Sequence, residues 1–255
     1  MANMSVVPPL PVAAIAASRG TGVANLLTAD PKEVWVDSAV ATPATIDIDL
    51  GAAQSIDTVF LGHVYNVGTA ATWAISGGLS GYSDVEIKAS GTLRVPDADD
   101  QYPPMSHALW FGDAVSVRYL RITVTKPVLP VFMIGVVLIG RAFQPELNKE
   151  FGAGRRVIDT GVATPLPSGG YGIAEGVRKR GYNWTFADLT LAEIDALEAV
   201  ALDRGETATL LAVEDPAPTT GLRNRIHYGL FTRFRQFERR NAVQTRWELG
   251  IEEWV

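Results

Sequence analysis

The sequence contains no cysteine, which excludes disulfides, thiolate metal sites and thiol nucleophiles together and fits synthesis in a reducing cytosol. Histidine is nearly as scarce. His63, His107 and His227 fall on three separate strand-like segments, none at metal-ligand spacing from another, so no metal or other cofactor is expected. Excess positive charge is lacking too: the formal net charge is -6, which disfavours nucleic acid held by phosphate neutralisation. No apolar run reaches the roughly 18 to 20 residues of a membrane span. The longest, Val128 to Ile139, is broken by Pro130 and Gly135, and membrane insertion is not expected. The apolar start from Val6 to Ala17 lacks a basic leader and carries Pro8, Pro9 and Pro11, so export is not expected either. Catalytic signatures are also missing. Gly78-Leu79-Ser80-Gly81 does not have nucleophile-elbow spacing and reads as a turn. Gly152-Ala153-Gly154 precedes a basic strand-like segment where a phosphate cradle needs a helix. The chain is therefore not expected to be an enzyme.

What is present is a β-rich pattern with one clear helix. Tyr182, Trp184 and Phe186 alternate as in a half-buried strand, and the spacing then turns helical at Leu191, Ile194, Leu197 and Ala201. Thr190 and Glu193 form a capping box, Leu189 and Ile194 stand at staple positions, and Gly205 is a left-handed stop, which predicts a helix over 190–204. A chain of 255 residues is most economically two domains. Residues 1–24 read as an irregular arm, 25–143 as short strands between turn clusters, 144–154 as a Pro/Gly-containing linker, and 155–255 as a second strand-rich block. In Thr45 to Leu50 the alternation is strict: Ile46, Ile48 and Leu50 face a core while Asp47 and Asp49 face water.

Several motifs stand in order along the first block. They are Leu26-Leu27 and Val34-Trp35-Val36-Asp37-Ser38, then Thr45-Ile46-Asp47-Ile48-Asp49-Leu50-Gly51, Ile56 to Asn66, Arg118-Tyr119-Leu120-Arg121-Ile122-Thr123-Val124 and Ile134 to Gly140. Over about 120 residues this series resembles the discoidin, or coagulation factor 5/8 type C, family of galactose-binding-like jelly-roll β-sandwiches, without the bracketing cysteines of its secreted members. The second block runs strand, helix, a strand into Asp215-Pro216, a strand with Tyr228-Gly229, and the closing Trp247-Glu248-Leu249-Gly250-Ile251-Glu252-Glu253-Trp254. It resembles the barrel domain of minor and distal tail proteins of long-tailed bacteriophages. The expected fold is thus mainly β: a discoidin-like sandwich followed by a smaller β-barrel-like domain with one α-helix. The expected role is a ring-forming distal tail protein on the virion, joining tube to tip. Its partners would be copies of itself and the tube, tape-measure and hub proteins. Six copies are favoured for the ring, with three as the alternative.

A carbohydrate-binding module attaching a larger assembly to a host surface glycan is the competing reading. Its candidate residues are Trp35, Asp37, His63, Tyr65, Asn66, Trp73 and Tyr82, at or near strand ends, where aromatic rings and hydrogen-bonding groups suit a sugar face. The simpler reading makes Trp35 and Trp73 core plugs. Arg223, Arg225, Arg233, Arg235, Arg239, Arg240 and Arg246 crowd the C-terminal end among Phe231, Phe234 and Phe237. A nucleic-acid groove is one reading; strands with an interfacial outer face is the preferred one. Glu248, Glu252 and Glu253 would then offer the arginines partners on the neighbouring strand or subunit, with the apolar N-terminal arm also at subunit boundaries. Asp97, Asp99 and Asp100 read as a solvated loop, or alternatively as a calcium loop.

Overall fold

The computed structural model describes residues 3–38, 43–68, 70–94, 105–125, 131–217, 221–232, 234–241 and 243–255. The acidic loop with Asp97, Asp99 and Asp100, and Arg233, lie outside the described residues. Among the described residues the chain is mainly β with one α-helix, as its periodicities predict. Its contacts divide into two compact units: Met1–Gln144 with Leu211–Ile226, and Pro145–Leu210 with His227–Val255.

The first unit contains β1 (Ser5–Val7), β2 (Ala14–Ala17), β3 (Trp35–Asp37), β4 (Ala44–Tyr65), β5 (Thr72–Gly78), β6 (Val85–Thr92), β7 (Met105–Thr125) and β8 (Phe132–Gly140). Hydrogen bonding orders one sheet as β3-β8-β4-β7-β5-β6, with β2 added against β4. Two strands are long and continuous where the sequence pattern suggests only short ones: β4 spans Ala44–Tyr65 and β7 spans Met105–Thr125. Each long strand turns a corner where its register shifts, between Asp49 and Gln54 and again between Ile56 and Thr58 on β4. Such irregularities bend and twist a strand locally. Consequently Ile46 and Ile48 from one half of β4 join Val59 and Leu61 from the other half in a single core, with Leu120, Ile122, Trp35 and Trp73. The alternation in Thr45–Leu50 survives intact, which leaves Asp47 and Asp49 on the outer face.

The N-terminal residues differ from the expected irregular arm. β1 pairs antiparallel with residues 211–213, and Met4, Val6 and Val7 are fully buried within this chain. β2 pairs along Ile46–Asp49. A three-residue strand buried on both faces shows no period, so its sequence carries no strand signal.

The second unit contains β9 (Gly154–Asp159), β10 (Val162–Pro165), β11 (Tyr171–Ala174), β12 (Arg178–Leu189), α1 (Leu191–Arg204), most of β14 (Ile226–Phe231), β15 (Glu238–Arg239) and β16 (Thr245–Glu253); β13 (Thr209–Val213) begins in it and ends in the first. Antiparallel pairing runs from β14 through β16 and β12 to β9, with β15 beside β16. Tyr182, Trp184 and Phe186 are buried on one side of β12, as are Trp247, Leu249 and Ile251 on β16. The capping box forms in full: the Glu193 amide donates to Thr190 Oγ1 at 3.3 Å, and the Thr190 amide donates to Glu193 Oε2 at 2.8 Å. Gly205 ends the helix at φ 55°, ψ -152°, a region open to glycine and outside the left-handed helical well that the sequence predicts.

Candidate functional site

The outer face of β4, β7 and β5 carries the most organised polar cluster of the first unit. Antiparallel register sets Asp47 opposite Arg121 and Asp49 opposite Tyr119, with Ser76 and Gly78 next in line on β5. Since Leu120 and Ile122 point inward, Tyr119 and Arg121 point outward. Arg121 grips Asp47 through Nε at 2.6 Å and Nη2 at 2.7 Å. Arg118 grips Asp49 likewise, at 2.9 and 3.1 Å. These are fork-to-fork pairs, which fix the guanidinium planes as well as their charge.

The loop after β5 then returns a side chain to this face. Asp84 Oδ2 accepts the amides of Ser80 at 3.1 Å and Gly81 at 2.9 Å, and Ser76 Oγ donates to the Tyr82 carbonyl at 2.7 Å. Gly78 makes room for this closure, because a Cβ there would overlap the Asp84 carboxylate. Tyr82 is thereby set edge-on to Tyr119, ring centres 5.3 Å apart. The Arg121 guanidinium lies 5.3 Å from the Tyr82 ring centre, and that of Arg118 lies 4.8 Å from Tyr119. Cations over aromatic faces attract the ring quadrupole. The Tyr82 hydroxyl, like the Tyr119 hydroxyl and both Nη1 groups, makes no hydrogen bond to the described residues.

Electrostatics follow from the pairing. Hydrogen bonding from Arg118, and then from the Gly51 amide, holds the Asp49 carboxyl below the usual aspartate range. Burial, followed by the charges of Asp47 and Asp49, pushes the Tyr82 phenol up, so it stays a neutral donor. The face offers two fixed rings and a mixture of donors and acceptors, the combination that small polar ligands require.

Of the seven residues expected at a sugar site, only Tyr82 lies on this face. Trp35 is fully buried, packed edge-on against Phe132 at 6.2 Å, its Nε1 donating to the Arg19 carbonyl at 3.2 Å. Trp73 is buried, with Lys88 Nζ 5.1 Å from its ring centre. Asp37 is buried and ion-paired with Arg19 at 3.1 Å. His63 is buried at φ 53°, and its amide donates to His107 Nδ1 at 3.3 Å. These four are internal: Trp35 and Trp73 are core residues, as the simpler reading has it, and Asp37 and His63 are buried too, which removes all four from an exposed sugar face. Tyr65 is half-buried, with burial pushing its phenol up, and Asn66 is exposed at φ 58°. The sequence missed Asp47, Asp49, Arg118, Tyr119 and Arg121 as a group, although Asp47-x-Asp49 and Tyr119-x-Arg121 at period 2 mark two outward faces. Strand pairing alone makes them neighbours.

Four of the C-terminal arginines pair within the chain. Arg225 pairs with Asp215, Arg235 with Glu248, and Arg240 with Glu150 and Asp188. Arg246 pairs with Glu150, Glu252 with Arg156 and Lys179, and Glu253 lies 3.3 Å from His227 Nδ1. Arg235 and Glu248 thus take the neighbouring-strand option, pairing inside one chain. Arg239 is exposed on β15, and Arg223 is half-buried in a short 3-10 turn at Leu222–Arg225. His63 and His107, apart in sequence, meet at 5.4 Å between ring centres. No histidine, aspartate and glutamate group suited to a metal ion occurs among the described residues.

No protein-family model matches the sequence, and no curated protein does. Among solved structures the chain is similar to the CBM32 module of AlyQ in complex with 4,5-unsaturated mannuronic acid, at 25% identity and TM-score 0.40, over 52% of this chain and 97% of that one. It is similar to a CBM32 module produced by Clostridium perfringens, at 12% identity and TM-score 0.39, over 50% and 92%. It is also similar to a GH29 fucosidase of Ruminococcus gnavus in complex with fucose, at 16% identity and TM-score 0.39, over 52% of this chain and 25% of that one.

Proposed function

We propose that the first unit binds carbohydrate on the face of Asp47, Asp49, Tyr82, Arg118, Tyr119 and Arg121, and that the protein works by attachment and not by catalysis. The observation that carries this reading is the fixing of Tyr82 beside Tyr119 by a tied loop, over two arginines already oriented by carboxylates. A sugar offers C–H faces to aromatic rings and hydroxyls to fixed donors and acceptors, so a site built in advance loses little entropy on binding. The test is a glycan array followed by titration calorimetry, with Tyr82→Ala and Tyr119→Ala beside the unaltered protein. Loss of binding in correctly folded variants supports the reading; binding indifferent to both rejects it.

A second reading concerns the other unit: a structural component of a bacteriophage tail tip, a distal tail protein on the virion assembled as a ring of six, or else three. One observation favours it. β10 and β11 form a two-stranded sheet of their own. No residue from Thr160 to Ala174 is charged, and Val162, Leu166, Tyr171 and Ile173 are exposed. A lone hairpin is marginal in water, and an exposed apolar surface of this kind suits a partner. In this reading the partner is a neighbouring copy, with tube, tape-measure and hub proteins completing the assembly and a host glycan meeting the first unit. Mass photometry with and without co-expressed tail proteins tests it.

A further inference from the structure

We infer that the ligand of the β4–β7–β5 face is a neutral glycan and not a uronic-acid or sulfated one; the inference rests on the carbohydrate-binding reading above. Its ground is the pairing of charges one to one. Arg118 is closed on Asp49 and Arg121 on Asp47, each through Nε and Nη2. A ligand carboxylate gains most from an arginine when it takes that same two-pronged edge. Here both edges are occupied, and an incoming anion meets the Asp47 and Asp49 carboxylates at close quarters, where like charges repel. Lys88, on β6, does not help. Its Nζ is turned to the carbonyls of Trp73 and Ala89.

A sugar hydroxyl fits the same face well, because it donates and accepts at once. The carboxylates retain lone pairs for its proton, and the unused Nη1 groups and the two phenols can donate to its oxygen. An anionic group, which only accepts, would use half of this set. The tied Tyr82 loop selects further, since Asp84 and Ser76 hold the backbone on both sides of the turn, which cannot readily withdraw to admit a bulky sulfate.

Calorimetric titration separates the alternatives, using neutral galactan and glucan oligosaccharides beside galacturonan and alginate oligosaccharides of equal length. Neutral oligosaccharides are expected to bind with affinity changing less than about twofold between about 50 and 500 mM salt, since no net charge is screened. The uronates are expected to bind at least about tenfold more weakly. Tyr82→Ala should weaken neutral binding by about tenfold or more. Asp49→Asn frees the Arg118 edge and should confer salt-sensitive uronate binding, which gives a gain that misfolding cannot imitate. Preferred, salt-sensitive uronate binding by the unaltered protein, still lost in Tyr82→Ala, would overturn the neutral ligand and leave the carbohydrate reading standing. Binding of no glycan, or binding indifferent to Tyr82→Ala and Tyr119→Ala, would overturn both.

Discussion

The Arg121 guanidinium lies 5.3 Å from the centre of the Tyr82 ring while Asp47 holds its Nε and Nη2. A strand residue thus supports a loop residue, and a second strand holds the support. Removing the acid should therefore act through the Tyr82 ring as well as on the ligand directly. Asp47→Ala is expected to weaken glycan binding while costing at most about 1 kcal/mol of stability, since the pair is partly exposed. Calorimetry against urea unfolding checks this split.

Trp35 and Trp73 should behave in the opposite way. Both lie in the core of the first unit, so replacing either with alanine is expected to cost about 3 to 5 kcal/mol through lost burial and a residual cavity. Equilibrium unfolding measures it. A folded, fully stable Trp73→Ala variant that has lost only glycan binding would return that tryptophan to the sugar site.

The helix of the second unit depends on its start. Thr190→Ala removes the cap and should cost about 1 kcal/mol. Burial pushes the Glu193 carboxyl up, but hydrogen bonds from the Glu146 amide and from Thr190 together outweigh it, so its pKa is lowered on folding. A lowered carboxylate pKa stabilises the fold above the unfolded value, and that stabilisation fades as pH falls through the folded one. The stability gap between the unaltered protein and Glu193→Gln should accordingly be largest near neutrality and shrink on acidification, as thermal unfolding across a pH series will show.

The exposed hairpin carries the assembly reading. Ile173→Asp places a charge at a solvent-facing position of the two-stranded sheet. It should leave thermal stability nearly unchanged and abolish self-association seen by mass photometry. Assembly that survives both Ile173→Asp and Tyr171→Asp would mean that the hairpin is not the contact.

Much of this fold was legible because its signals are local. The alternation at Thr45–Leu50 set Asp47 and Asp49 outward, and Thr190, Glu193 and Gly205 bracketed α1. The corners of β4 and β7 were not legible: Gly51 and Asp113 look like turns, yet pairing carries the strands past them. The site was hidden for a related reason. Asp47 and Arg121 lie 74 residues apart in sequence, and only the sheet register makes them one pair. Tyr82 is named in the sequence reading from its place after a strand, but its neighbours come from another strand face. Trp35 and Trp73 show why aromatic residues near strand ends are ambiguous: a core plug, which both are, gives the same pattern as a sugar platform.

The most direct test compares two places on the first unit. Titration calorimetry with the best glycan from an array should be run on Tyr82→Ala and Tyr119→Ala, and on Tyr65→Ala and Asn66→Ala at the far end of β4. The account predicts about tenfold or greater loss in the first pair and unchanged affinity in the second. Full affinity in Tyr82→Ala and Tyr119→Ala, with loss in Tyr65→Ala or Asn66→Ala, would contradict it.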